Sequence, residues 1–147
     1  MLNPQLVYLV QTDTTAGFLS QNAHKLALCK QRDIKQPFII CVDSFKTLQT
    51  FTRVPLKYKK EVRRSKKSTF IYPNKQALRV VKDEEHLQFL RKLTWAYSSS
   101  ANETKKNFEI EYAKQKADII IEDARGFFED TPSKMFKITT QKQRRLR

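Results

Sequence analysis

Three short polar patches in this sequence of 147 residues have the residue types to work on an anion. Lys30-Gln31-Arg32 sets two cations two residues apart. Such a pair can neutralise phosphates, and its arginine can grip a carboxylate through two parallel N–H bonds. Thr12-Asp13-Thr14, closed by Gly17, follows the apolar run Leu6 to Val10. Hydroxyls and backbone N–H groups where a strand turns toward a helix suit phosphate or carboxylate. Ser98-Ser99-Ser100-Ala101-Asn102 follows Trp95-Ala96-Tyr97, and serines at a strand's carboxyl end can cradle the phosphates of a nucleotide. Each patch also has a plain structural reading. Cations suit the end of a helix dipole. Thr and Asp close turns through local hydrogen bonds. A serine run can be a polar loop.

The elements that must carry these patches follow from periodicity. Leu6 to Val10 reads as a buried strand, with residues 12–17 as its turn. Residues 21–31 read as a helix capped by Ser20 or Asn22. Pro37 to Val42 is a second apolar run, and strand–helix–strand of this kind predicts a parallel crossover. Ser44 to Leu48 reads as a short capped helix. Ser68 to Tyr72 and Ala77 to Val81 flank the turn Pro73-Asn74-Lys75 and predict an antiparallel hairpin. Asp83 caps a helix over Glu84 to Leu93. A strand from Trp95, a helix over Phe108 to Lys116, and strands at Ala117 to Ile121 and Met135 to Ile138 complete the order. The tail Gln141 to Arg147 is placed as a last paired strand. Helices alternate first with strands and then with a hairpin. The fold class expected is therefore α/β with a mixed parallel and antiparallel sheet, in one domain spanning residues 1–147.

Composition narrows the partners. The net charge of +14 predicts a polyanion: nucleotide phosphate, RNA or both. Arg53 to Lys67 concentrates eight Lys or Arg against the single acid Glu61. It reads as a short exposed helix or loop, either facing RNA or simply solvated. Cys29 and Cys41 form no CxxC pair and lack a histidine set, so neither zinc nor a disulfide is expected. No apolar run approaches the roughly 18 residues of a membrane span. The first residues lack the basic region of a secretory signal, which points to the cytoplasm.

In combination and in this order, the patches resemble the YrdC-like family of threonylcarbamoyl-AMP synthases. That family opens with P-T-D-T-x-Y-G-L after a strand; here the stretch is Gln11-Thr12-Asp13-Thr14-Thr15-Ala16-Gly17-Phe18. Its K-x-R, followed by K/N-x-P and an apolar strand, matches Lys30-Gln31-Arg32, Lys35 and Pro37 to Ile40. Its R-V-P corresponds to Arg79-Val80-Val81, with His86 nearby. Its S-x-N is Ser100-Ala101-Asn102, and its late P-S is Pro132-Ser133. Gln11 and Ala16 stand where the family has a proline and an aromatic residue. The basic run stands in place of a P-G-P-x-T segment.

The resemblance implies a twisted, open mixed sheet with flanking helices around a basic cavity. It implies a nucleotidyltransferase that joins L-threonine, bicarbonate and ATP into threonylcarbamoyl-AMP and pyrophosphate, for modification of tRNA beside the anticodon with partner proteins. By the same resemblance Lys30 and Arg32 serve the phosphates and the intermediate's carboxylate. Ser100, Asn102, Arg79 and Ser133 hold the nucleotide phosphates, and Thr12 and Thr14 shape the threonine site. Mg²⁺ arrives with ATP and takes no resident protein metal site. The competing expectation is a non-catalytic module that binds tRNA or double-stranded RNA in the same basic cavity.

Overall fold

The computed structural model describes residues 2–147. Nine strands make one mixed sheet: β1 (Tyr8–Gln11), β2 (Ala16–Ser20), β3 (Ile39–Val42), β4 (Ser68–Ile71), β5 (Ala77–Val80), β6 (Trp95–Ser100), β7 (Ile119–Ile121), β8 (Lys134–Ile138) and β9 (Gln143–Arg145). Their spatial order is β7-β1-β2-β6-β3-β5-β4-β8-β9. The helices are α1 (Ala23–Lys30), α2 (Phe45–Phe51), α3 (Lys59–Arg64), α4 (Glu84–Leu90) and α5 (Ile110–Lys116), with a 3₁₀ turn at Leu56–Tyr58.

Local signals set most boundaries. The Asn22 side chain accepts from Lys25 N to start α1, and Ser44 does the same for α2 through Thr47 N. The Asp83 carboxylate caps α4 through His86 N. Gln31 takes the left-handed conformation after α1, and the Arg32 N–H returns to the Ala27 carbonyl. That closure turns the chain sharply at Arg32.

Two expectations are corrected. Thr12 to Gly17 does not lead from a strand into a helix. Residues 12–15 close a hairpin between β1 and β2, which pair Gln11 with Ala16 and Val10 with Gly17. A strand thus precedes α1 where the sequence reading had only a turn. The crossover β2–α1–β3 joins parallel strands that are not neighbours, because β6 inserts between them antiparallel to both. The β4–β5 hairpin and the β8–β9 pairing are as expected.

Strand alternation divides the core between the two faces of the sheet. Val7 and Leu9 pack with Phe18 and Leu26 under α1 and α5. Ile40, Val42, Leu78 and Val80 pack with Leu48, Val54, Tyr58 and Val62 under α2 and α3. The intervening residues Tyr8, Val10, Cys41 and Ala96 face the other way, against Leu87 and Leu90 of α4. Each fully buried leucine contributes about 1.5–3 kcal/mol. Cys29 and Cys41 are free and buried in different clusters.

Between β7 and β8 the chain crosses nearly the whole sheet in residues 122–133. It is fastened along the way. The Gln11 side chain accepts from Phe128 N, and Arg125 donates to the Gln11 carbonyl. A turn closes from Gly126 N to Asp123 O.

Candidate active site

Ser98 and Ser100 of β6 follow Ala96 at a spacing of two, and Arg79 lies between Leu78 and Val80 of β5. Alternation sends these residues to the face that α4 covers only in part. A cleft of about 330 Å³ opens there. It is lined by Thr12, Thr14, Arg32, Arg79, Ser100 and Ser133 among others, so six of the eight residues singled out from the sequence meet at one place. Arg147 and the Ser98 and Ser99 positions also line it. Among the described residues, its lining holds three arginines and no acidic side chain.

The hairpin turn is built by its own hydroxyls. Thr12 Oγ1 donates to the Thr15 carbonyl at 2.6 Å and accepts from Thr14 N at 3.1 Å. Gly17 permits the close approach of β2 to β6: a Cβ there would meet Thr12 Cγ2 at 2.9 Å and the Ser99 carbonyl at 3.2 Å.

Behind the turn lies a buried charged cluster. Arg79 Nη2 is 3.4 Å from Asp13 Oδ1, and Arg79 Nη1 is 3.4 Å from Thr14 Oγ1. His86 Nδ1 lies 3.7 Å from the same Asp13 oxygen, a close electrostatic contact longer than a hydrogen bond. Burial works to raise the Asp13 carboxyl, but His86 and Arg79 outweigh it and hold it at about 2. Burial, with Arg79 beside it, keeps the His86 imidazole below its ordinary value against the pull of Asp13. The cluster therefore carries Asp13 ionised, Arg79 cationic and His86 neutral at pH 7.

Lys30 and Asn102 do not line the cleft. The buried Lys30 ammonium donates to the Ser100 carbonyl at 2.7 Å, to Ser100 Oγ at 3.3 Å and to Asn102 Oδ1 at 2.9 Å. Ser100 Oγ donates to the same Asn102 oxygen. Lys30 thus pins the loop after β6 from below. Burial, and then the neighbouring Arg32, push its amine down to about 8. Arg32 donates to the Pro37 carbonyl and stacks 4.2 Å over the Phe38 ring. Burial lowers its pKa as well.

Ser133 bonds Thr69 Oγ1 through its hydroxyl at 2.8 Å and accepts from Arg147 Nη2 at 3.2 Å. Arg147 also donates through Nε to the Ser133 carbonyl. The sequence reading assigns no role to Arg147, and none to Asp13 or His86 although it sets Asp13 in the patch from Thr12 to Thr14 and His86 near Arg79. The run of cations in the tail was the signal for the first. A lone acid between two site threonines was the signal for the second.

No grouping of three or more His, Cys, Asp or Glu suited to a metal ion occurs among the described residues. No helix among them is long and apolar enough to cross a membrane.

Solved structures share this arrangement of strands and helices. P. abyssi Sua5, solved in complex with L-threonine, superposes with a TM-score of 0.83 at 18% identity, over 97% of this chain and 50% of that one. The fold is YrdC-like. E. coli YciO matches at a TM-score of 0.77 and 15% identity, over 97% of this chain and 82% of that one. MTH1692 of Methanobacterium thermoautotrophicum matches at 0.69 and 20%, over 96% and 79%. This YrdC-like chain thus spans about half the length of Sua5. No family model matches the sequence, and a search of curated proteins found no match.

Proposed function

We propose that this protein is a nucleotidyltransferase of the threonylcarbamoyl-AMP synthase type, joining L-threonine, bicarbonate and ATP and releasing pyrophosphate. One observation carries the reading. Residues from six separate stretches of the chain converge on a single cleft lined by three arginines and no acidic side chain. The threonine bound to Sua5 and the shared fold support it.

The chemistry requires what the cleft offers. Threonine's amine attacks bicarbonate and water leaves, giving a carbamate, and the new carboxylate attacks the α-phosphorus of ATP and displaces pyrophosphate. Negative charge then grows on the α-phosphate and on the departing pyrophosphate. Fixed cations and hydroxyl donors stabilise that charge without reorganising. Arg32, Arg79 and Arg147 are the cations, and Ser100 and Ser133 the donors. Thr12 and Thr14 shape the threonine end. Lys30 and Asn102 act as positioning residues that hold Ser100. Mg²⁺ enters with the phosphates of ATP, mostly water-coordinated. At about 330 Å³ the cleft is at the small end of ligand sites. It suits the reacting carboxylate and phosphates, with the nucleoside extending over its open side. The product would pass to partner proteins that modify tRNA in the cytoplasm.

The test is pyrophosphate release from purified protein with ATP. Release that needs both threonine and bicarbonate supports the reading; ATP hydrolysis indifferent to either overturns it. A second reading, a non-catalytic RNA-binding module, draws on the net charge of +14 and the exposed cations of α3. RNA affinity that falls steeply with salt, with no synthesis, would favour it.

A further inference from the structure

Beneath the basic run Arg53 to Lys67 lies a feature that the adenylation chemistry does not use. Val54, Tyr58 and Val62 turn inward into the core and anchor the segment. Leu56, between them, points outward and is 83% exposed. It forms one wall of an open groove of about 1040 Å³ shared with Phe51, Pro55 and Pro73. Arg53 and Lys57 stand on its rim, and no acidic residue lines it among the described residues. The groove is separate from the cleft: the two have no lining residue in common.

Leu56 with Phe51 and the two prolines makes a small apolar patch flanked by cations, a form that can receive an apolar side chain of a charged partner. The rim selects the partner by charge. A second copy of this chain would bring another +14 and is repelled. Single-stranded RNA would find Phe51, half-buried, as the one aromatic in the lining, and a duplex would gain nothing from the leucine and prolines between the two cations. We propose that this groove docks an acidic protein segment whose leucine or phenylalanine side chains enter beside Leu56 while its carboxylates meet Arg53 and Lys57. The proposal is independent of the reaction assigned to the cleft.

The experiment uses the full chain and three labelled synthetic peptides of one length, read by fluorescence anisotropy. The first is an amphipathic peptide of glutamates with leucine and phenylalanine at helical spacing. The second has serine in place of every apolar residue, and the third has lysine in place of every glutamate. The first is expected to bind saturably and at least tenfold tighter than either of the others. Leu56→Ala, which changes no charge, should weaken it about tenfold, and Arg53→Glu with Lys57→Glu by more. Pyrophosphate release without peptide should be unchanged in Leu56→Ala. Equal binding of the glutamate–serine peptide would reduce the effect to net charge and overturn the proposal. So would an unchanged affinity in Leu56→Ala. A short single-stranded RNA that displaces the first peptide and is itself weakened by Leu56→Ala would assign the groove to nucleic acid instead.

Discussion

Arg79 Nη2 lies 3.4 Å from Asp13 Oδ1, with both side chains almost wholly removed from water. The pair joins the hairpin turn to the middle of β5, and so sets how far Thr12 and Thr14 stand from the cleft's arginines. Asp13→Asn leaves a buried guanidinium without its counter-charge, which typically costs about 3–5 kcal/mol. A clear fall in melting temperature is expected, together with loss of synthesis. An unchanged melting temperature would mean that Arg79 is neutralised elsewhere.

The same pair sets an acid limit. Asp13 is held at about 2 in the folded chain against 3.8 when free. Its contribution, on the order of 2 kcal/mol, is fully present above about pH 4 and is lost as pH falls toward 2. His86 acts in a higher window. Its folded pKa lies below 6.5, so the unfolded chain takes up the proton first and stability falls as pH drops below that value. His86→Gln should flatten the denaturant midpoint between pH 7.5 and 5. A slope identical to the parent's would assign the loss to other groups.

Lys30 links chemistry to alkaline pH. Its amine, lowered to about 8, serves three acceptors on Ser100 and Asn102 as an ammonium and keeps only two weaker N–H donors once neutral. Pyrophosphate release should therefore decline as pH rises through about 8, and a profile that stays flat to pH 9.5 would remove Lys30 from that role. Lys30→Ala should abolish product. It should also cost about 1–3 kcal/mol, because the Ser100 carbonyl loses its donor.

Gly17→Ala tests the close approach of β2 to β6. The added methyl would sit 2.9 Å from Thr12 Cγ2 and 3.2 Å from the Ser99 carbonyl. A destabilisation of about 1–3 kcal/mol is expected, with a raised KM for threonine. Wild-type stability and kinetics would show that the hairpin yields freely.

Arg147 separates binding from folding. It is exposed on one side and reaches the cleft through Ser133. Arg147→Ala should raise the KM for ATP by tenfold or more while the melting temperature stays close to wild type. An unaltered KM would take Arg147 out of the phosphate site.

What could be read from the sequence follows from how local each signal was. The Asn22, Ser44 and Asp83 caps, the β4–β5 hairpin and the strand at Pro37 to Val42 depend on neighbours in sequence. β2 was hidden because its glycine and the threonines before it resemble a turn leading into a helix. The glycine is in fact required by a strand far along the chain, where Ser100 lies opposite it. Arg79 was legible as a cation in an apolar strand, but its pairing with Asp13 spans two distant elements. Lys30 was legible as a cation near the site. Its burial under Ser100 was not, since nothing at residues 29–32 announces the loop that closes over it. Gln11 stands where the resemblance has a proline. Its side chain accepts from Phe128 N, a bond that proline could not make.

The segment from β7 to β8 has one more implication. Seven strand spacings of about 4.8 Å would separate these strands by about 34 Å in a flat sheet, before any displacement along the strand direction. Twelve residues reach at most about 40 Å when fully drawn out, and the turn at Gly126 takes up part of that length. The chain thus crosses a flat sheet with little slack, and the 3.4 Å contacts of Arg79 in β5 with Asp13 and Thr14 of the β1–β2 turn, three to four strand spacings away, show that the sheet rolls. Rolling carries the hairpin of β1 and β2 toward β5 and β8. Residues 122–133 thus bound that hollow from outside, because their length limits how far β8 can stand from β7.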